Sequence, residues 1–136
     1  MKNNGWMQGV ILLGIGVLLA ACAQGGTPGA GGSAPEYRKI TPEEAKTVMD
    51  GQEPFVLVDV RTKEEYDGGH IPGALLLPDA DIERLAPDML PDKEAKILLY
   101  CRSGRRSELA ARKLLEMGYT QVLDFGGILD WKYGIE

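Results

Sequence analysis

Apolar segments of strand length alternate with helix-forming segments along most of the chain, which predicts an α/β fold: one parallel sheet with helices on both faces. Two observations sharpen this. Phe55-Val56-Leu57-Val58-Asp59-Val60 is apolar almost continuously rather than at every second position, as a parallel strand covered on both faces requires. Lys96-Ile97-Leu98-Leu99-Tyr100 is a second such run; it stops at Cys101 and gives way within a few residues to a helix-forming segment.

The chain has 136 residues, enough for one domain, and its 44% hydrophobic and 26% charged residues can build a core without disulfides or metal. Its formal net charge is −5 and becomes −6 without Met1–Ala21, whose only charged residue is Lys2; that balance argues against nucleic acid as a partner. Against it the cluster Arg102, Arg105 and Arg106 stands out. A single histidine leaves no Cys/His spacing for a metal site, and no cofactor is expected.

Lys2 precedes an apolar run from Val10 to Ala21 that is too short to span a bilayer as a helix and fits a signal-peptide core. It ends in Leu19-Ala20-Ala21-Cys22, which resembles the lipobox of bacterial lipoproteins. That resemblance implies a signal peptide over residues 1–21, lipid on Cys22, and a membrane-anchored protein outside the cytoplasm, in the periplasm or on the outer cell surface. The alternatives are a plain secretory leader cut nearby and a short anchor that is never cut. Residues 22–35 then form a tether: Ala23 to Pro35 carries no charge and no hydrophobic period, and a flexible chain of this length reaches roughly 20 Å. With Cys22 consumed by lipid, Cys101 is the one free thiol.

The domain is expected over residues 36–136. Tyr37–Ile40 reads as a short edge strand. Thr41-Pro42-Glu43-Glu44 is a helix start with Thr as N-cap, Pro at N1 and Glu at N3, running to Met49 before Asp50-Gly51. After the Phe55–Val60 strand, which presents Asp59 and Arg61 at its end, a short acidic helix covers Thr62–Tyr66 and breaks at Gly68-Gly69. His70–Pro78 reads as a turn feeding a third strand, and Asp81–Leu85 as a helical turn or two, with Pro87 and Pro91 marking loops. Beyond Cys101 a helix is predicted over Ser107–Met117, with Ala110, Leu114 and Met117 on one face and Gly118 as its stop. Gln121–Asp124 is the last strand, and Gly126-Gly127 a turn into a helix over Ile128–Tyr133 that Trp131 closes over the sheet.

A strand that turns directly into a helix leaves unpaired N–H groups at the turn, where they gather anions. A thiol held there is expected to ionise more readily, since the Arg102–Arg106 amides, the helix dipole and three guanidinium groups all favour thiolate. Gly104 lets the backbone turn that tightly. Arg102 and Arg105 are the candidates for drawing in an anion, while Arg106 has a structural alternative, turned towards Asp59 or Glu65. Asp59 either orients the loop or caps the helix after it, and lone His70 reads as a structural hydrogen-bonding group in its turn.

Asp59-Val60-Arg61, Glu65-Tyr66, Gly69-His70-Ile71-Pro72-Gly73-Ala74, Cys101-Arg102-Ser103-Gly104-Arg105-Arg106-Ser107 and Gly126-Gly127…Trp131 together resemble the single-domain form of the rhodanese homology domain. The resemblance spans Thr41 to Trp131; one departure is the tail, where Gly134-Ile135-Glu136 lacks the usual proline. It implies a five-stranded parallel sheet and sulfurtransfer through a persulfide on Cys101, with Arg102, Ser103, Gly104, Arg105 and Arg106 as the anion-binding loop and Asp59, Arg61 and Ser107 in support. The implied partners are a small anionic donor such as thiosulfate, a thiol or cyanide acceptor, the membrane through Cys22, and an acceptor protein of the envelope. A non-catalytic persulfide carrier or docking module is the main rival. Cysteine phosphatases and arsenate reductases share the architecture, yet phosphatases place an arginine six positions after the cysteine, where this chain has Ser107.

Overall fold

The computed structural model describes Pro35 and residues 37–136. The expectations of a signal peptide over residues 1–21, of lipid on Cys22 and of a tether short of Pro35 fall outside the described residues. Within them, five parallel strands form one sheet in the order β1-β5-β4-β2-β3. The strands are β1 (Arg38–Lys39), β2 (Val56–Asp59), β3 (Leu75–Leu76), β4 (Lys96–Cys101) and β5 (Gln121–Gly127). Four α-helices connect them: α1 (Pro42–Asp50), α2 (Lys63–Asp67), α3 (Ile82–Met89) and α4 (Arg105–Glu116). This is the α/β architecture expected from the alternation of segments.

Each helix start has a local cause. Thr41 Oγ1 accepts the Glu44 N–H (3.1 Å) while Glu44 accepts the Thr41 N–H (2.7 Å), and Thr62 and Glu65 repeat the reciprocal pattern at the head of α2. Thr62 thus caps α2, which leaves Asp59 free for another task.

The strand period of two distributes side chains between two cores. Val58, Ile97, Leu99, Cys101 and Val122 face α3 and α4, meeting Ile82, Ala86, Ala110, Ala111 and Leu114. Leu57, Leu98, Tyr100, Leu123 and Phe125 face the other way, towards Ala45 of α1. Burial on both sides explains the continuous apolar runs, and each fully buried Leu or Ile contributes about 1.5–3 kcal/mol. The central strand β4 is therefore fixed from both faces and along both edges, and its last residue is Cys101.

Several boundaries differ from expectation. α4 begins at Arg105, two residues before Ser107, because Gly104 at φ +106° takes the cap position with its backbone alone. β5 continues through Phe125, Gly126 and Gly127, so the glycine pair belongs to the sheet. The predicted helix over Ile128–Tyr133 is a single 3₁₀ turn, Ile128–Asp130, and Trp131 follows it in extended backbone. α3 runs on to Met89 with Pro87 inside it; the carbonyl of Glu83 that loses a donor lies in an exposed residue, where water can serve it.

Candidate active site

Cys101 ends the central strand with its side chain on the α4 face and is only 1% exposed. The chain turns at once into α4, and Gly104 N–H points back at the thiol sulfur, 3.0 Å from Sγ. Among the described hydrogen bonds this is the one from a loop amide to Sγ. Ser107, in the first turn of α4, is fully buried, and its Oγ lies 3.5 Å from Sγ. The same hydroxyl is within reach of the carbonyls of Gly104 (3.1 Å) and Gly126 (3.3 Å), so it ties the loop to β5.

β5 forms the floor of this loop. A Cβ on Gly127 would stand 2.2 Å from the Arg102 carbonyl oxygen, so no side chain fits there. The Leu129 N–H donates to that same carbonyl at 3.3 Å. The loop is thus clamped between α4, β5 and the 3₁₀ turn.

The three arginines separate. Arg102 and Arg105 are exposed, and neither is in an ion pair among the described residues; Ser103 is exposed beside them. Arg106 forms a two-pronged pair with Glu65 of α2, at 2.7 and 2.8 Å, one of the two carboxylates named for it from the sequence. The Arg106 hydrogen bonds hold the Glu65 carboxyl down at about 2, against the opposing pull of desolvation, and Glu65 in turn raises Arg106.

Asp59 and Arg61 lie on the opposite face of the sheet from Cys101 and pair with each other. Asp59 is fully buried and accepts from Arg61 N–H, Nε and Nη2, and from the Tyr100 hydroxyl at 2.7 Å. It therefore neither caps α2 nor touches the cysteine loop. Arg61 passes on a bond to the Gly69 carbonyl (2.8 Å), and Tyr100 accepts the Ile71 N–H (3.1 Å). Burial opposes the Arg61 charge, but the Asp59 hydrogen bonds and charge outweigh it and leave the guanidinium above its ordinary value. The pair braces the Gly69–Ile71 turn. His70 in that turn stacks on Tyr66 (3.7 Å between centroids), and its Nδ1 lies 3.0 Å from the Tyr66 carbonyl, an arrangement that is structural.

An open pocket of about 540 Å³ adjoins the loop, walled by Arg61, Glu65, Arg102, Leu129, Trp131 and Ile135 among others, so Arg61 reaches the pocket although it pairs with Asp59; Sγ is not part of its wall. Trp131 is half-buried against Phe125 and donates from Nε1 to the Gly134 carbonyl, so it lines this pocket rather than sealing a helix to the sheet. Among the described residues no three His, Cys, Asp or Glu side chains come together as metal ligands would. Sequence reasoning passed over Tyr100 and Asp124. Tyr100 looked like one more apolar strand residue, whereas an aspartate in a buried parallel strand just ahead of two glycines was a readable anomaly.

A family model described as the rhodanese-like domain matches residues 41–133. The chain is 36% identical over 100 residues to a putative sulfur carrier protein, YrkF, of Bacillus subtilis, an alignment that takes in 73% of this chain and 53% of the relative. It is 38% identical over 73 residues to the thiosulfate sulfurtransferase PspE of Escherichia coli, covering 54% of this chain and 70% of that one. The crystal structure of a rhodanese-like domain protein from Staphylococcus aureus superposes with a TM-score of 0.63 at 34% identity, covering 73% of this chain and 96% of that one. The chain thus spans about half the length of the B. subtilis relative.

Proposed function

This chain belongs to the rhodanese-like domain family, and from that premise we propose that it is a sulfurtransferase that moves a sulfane sulfur from thiosulfate, or a persulfide donor, to a thiophilic acceptor through Cys101. One observation carries the reading: the domain's only cysteine ends the central strand with a backbone N–H aimed at its sulfur from 3.0 Å. In the first half-reaction the Cys101 thiolate attacks the outer sulfur of thiosulfate; the S–S bond breaks and sulfite leaves with the electron pair. The persulfide anion formed has a preorganised N–H donor from Gly104 and the Ser107 hydroxyl beside it. Cyanide or a thiolate then attacks the outer sulfur and returns Cys101 as thiolate.

Ser107 stands where a phosphatase would place its arginine, and its hydroxyl is engaged with Gly104 and Gly126 rather than open to an oxyanion, which supports sulfur over phosphate as cargo. The direct test uses the purified full-length chain with thiosulfate and cyanide. Thiocyanate should form, and Cys101→Ser should abolish it; turnover retained in that variant would remove the proposal.

The B. subtilis relative's name favours a second reading, in which the domain carries sulfur to a partner without turning over a small donor. Intact mass separates the two: a stable gain of about 32 Da on Cys101 without repeated turnover supports the carrier. The same measurement on protein from a membrane fraction tests a further part of the proposal, that lipid on Cys22 holds the domain at a membrane outside the cytoplasm. The support for that part is the Leu19-Ala20-Ala21-Cys22 pattern, and an unmodified Cys22 would end it.

A further inference from the structure

We infer that Asp124 is a positioning residue for the cysteine loop, acting through Gly126. The register between β4 and β5 shows where it acts: Leu99 is opposite Asp124 and Cys101 opposite Gly127, so β5 uses one residue more than β4 over the same span. That surplus is a β-bulge, and Gly126, at φ +89°, sits in it. Bulges re-aim backbone groups, and this one turns the Gly126 carbonyl towards Ser107 Oγ, 3.3 Å away, and sets Gly127 directly beneath the Arg102 carbonyl.

Asp124 holds the bulge. It is fully buried on the Cys101 face of the sheet; Oδ1 accepts the Gly126 N–H at 2.9 Å and Oδ2 accepts the Tyr37 hydroxyl at 2.7 Å. Among the described residues it has no ion-pair partner; Arg112, which lies over the Tyr37 ring at 4.7 Å, is paired with Glu108 instead. A buried carboxylate without a cation is costly, and an apolar residue would serve the core better. What an apolar residue cannot do is accept from Gly126. The chain of contacts from Tyr37 through Asp124, Gly126 and Ser107 therefore ends at Sγ, 3.5 Å from Ser107 Oγ. Tyr37 remains a donor throughout, since burial and the neighbouring carboxylate push its hydroxyl well above the ordinary tyrosine range.

The consequence for turnover rests on the sulfurtransferase reading, but the positioning itself does not, and the test reads them separately. In the full-length chain, Asp124→Val removes the acceptor while keeping a strand-favouring residue, and Asp124→Asn keeps an oxygen for the Gly126 N–H. Iodoacetamide labelling of the Cys101 peptide, read by mass spectrometry, reports loop geometry without any sulfur chemistry. Thiocyanate formation gives kcat and KM, and thermal melting gives stability. For Asp124→Val we expect labelling rate and kcat each to fall about tenfold, with KM for thiosulfate within about twofold and no matching loss of melting temperature. Asp124→Asn should restore both rates to within about threefold. As a control, Tyr119→Phe, which loses distant bonds to Ala86 and Leu90, should lower the melting temperature and leave labelling unchanged. Labelling at the wild-type rate in Asp124→Val, or an asparagine variant as slow as the valine one, would overturn the assignment. Should the valine variant fail to accumulate, Asp124→Ala takes its place with the same expectation. Absence of thiocyanate from the wild type would sink the sulfurtransferase reading and leave the labelling comparison decisive for Asp124.

Discussion

Glu65 and Arg106 face each other across the gap between α2 and α4, Nη1 to Oε2 at 2.7 Å and Nη2 to Oε1 at 2.8 Å. Both side chains are less than a third exposed, and Glu65 also closes the capping box of α2 with Thr62. A single carboxylate thus fixes the start of one helix and the first turn of the other, the turn that carries Ser107.

The pair predicts a specific acid sensitivity. In the folded chain Glu65 titrates at about 2, below its ordinary 4.5, so its stabilisation is complete above about pH 4.5 and is lost as the pH falls towards 2. Solvent screening reduces the effect to about 1–2 kcal/mol. Glu65→Gln should lower the melting temperature at pH 7 by roughly 4–8 °C per kcal/mol lost, and its stability should fall less steeply than wild type between pH 4.5 and 2. Melting curves taken across that window check this; parallel pH profiles would show that the ion pair contributes nothing.

The two glycines of β5 should respond oppositely to what their dihedral angles suggest. Gly126 has the left-handed φ of +89°, yet a Cβ there meets nothing within 4 Å, so Gly126→Ala carries only backbone strain of about 1 kcal/mol. Gly127 has ordinary extended backbone, but its Cβ would stand 2.2 Å from the Arg102 carbonyl. Gly127→Ala must displace the loop and should cost at least about 2 kcal/mol and most of the sulfur transfer. Melting temperature and thiocyanate assays on the two variants check the order.

Tyr100→Phe should destabilise by about 1–3 kcal/mol, because the Ile71 N–H loses its acceptor and Asp59 one of its donors. Burial, ahead of the Asp59 interaction, pushes the Tyr100 hydroxyl well above its ordinary value, so it stays protonated and the deficit should be constant from pH 5 to about 9. Above about pH 10 the unfolded chain ionises this tyrosine and the wild type loses stability that Tyr100→Phe no longer has to lose, so the two curves should converge. Denaturant titrations at pH 7, 9 and 11 check the pattern.

How much of this was legible in the sequence follows from which forces are local. The Thr41/Glu44 cap announces itself three residues apart, and continuous apolar runs announce a sheet covered on both faces; the same spacing in Thr62/Glu65 was passed over, with Thr62 read as helical and Asp59 as a possible cap. Gly126-Gly127 read as a turn because glycine is the usual turn residue; its role as a bulge under the cysteine loop depends on β4, more than twenty residues earlier. Arg61 and Asp59 were both legible at the end of the same strand, but their pairing was not: Arg61 Nε and Nη2 bond the Asp59 carboxylate, and the same arginine reaches the wall of the pocket beside the cysteine loop. The apolar spacing of Ala110, Leu114 and Met117 predicts α4 from Ser107 but cannot show its first turn; the structure starts the helix at Arg105 after Gly104 and buries the Ser107 hydroxyl beside Sγ.

The unpaired Arg102 and Arg105 should act on substrate capture rather than on chemistry. The chain as a whole is negative, at −5, and would repel an anionic donor, so a local basic patch at the cysteine loop is the feature that can attract one. Both guanidinium groups are exposed and neither is committed to a carboxylate among the described residues, in contrast to Arg106 and Arg61. Arg102→Ala and Arg105→Ala should each raise KM for thiosulfate about two- to fivefold and leave kcat within about twofold, the pattern of lost binding that is equal in ground and transition states. At about 1 M salt, where the screening length falls to about 3 Å, wild type and variants should converge. Arg106→Ala should differ in kind, lowering the melting temperature through loss of its Glu65 pair. Steady-state kinetics at low and high ionic strength separate these behaviours, and a kcat effect that survives high salt would place Arg102 or Arg105 at the reacting sulfur instead.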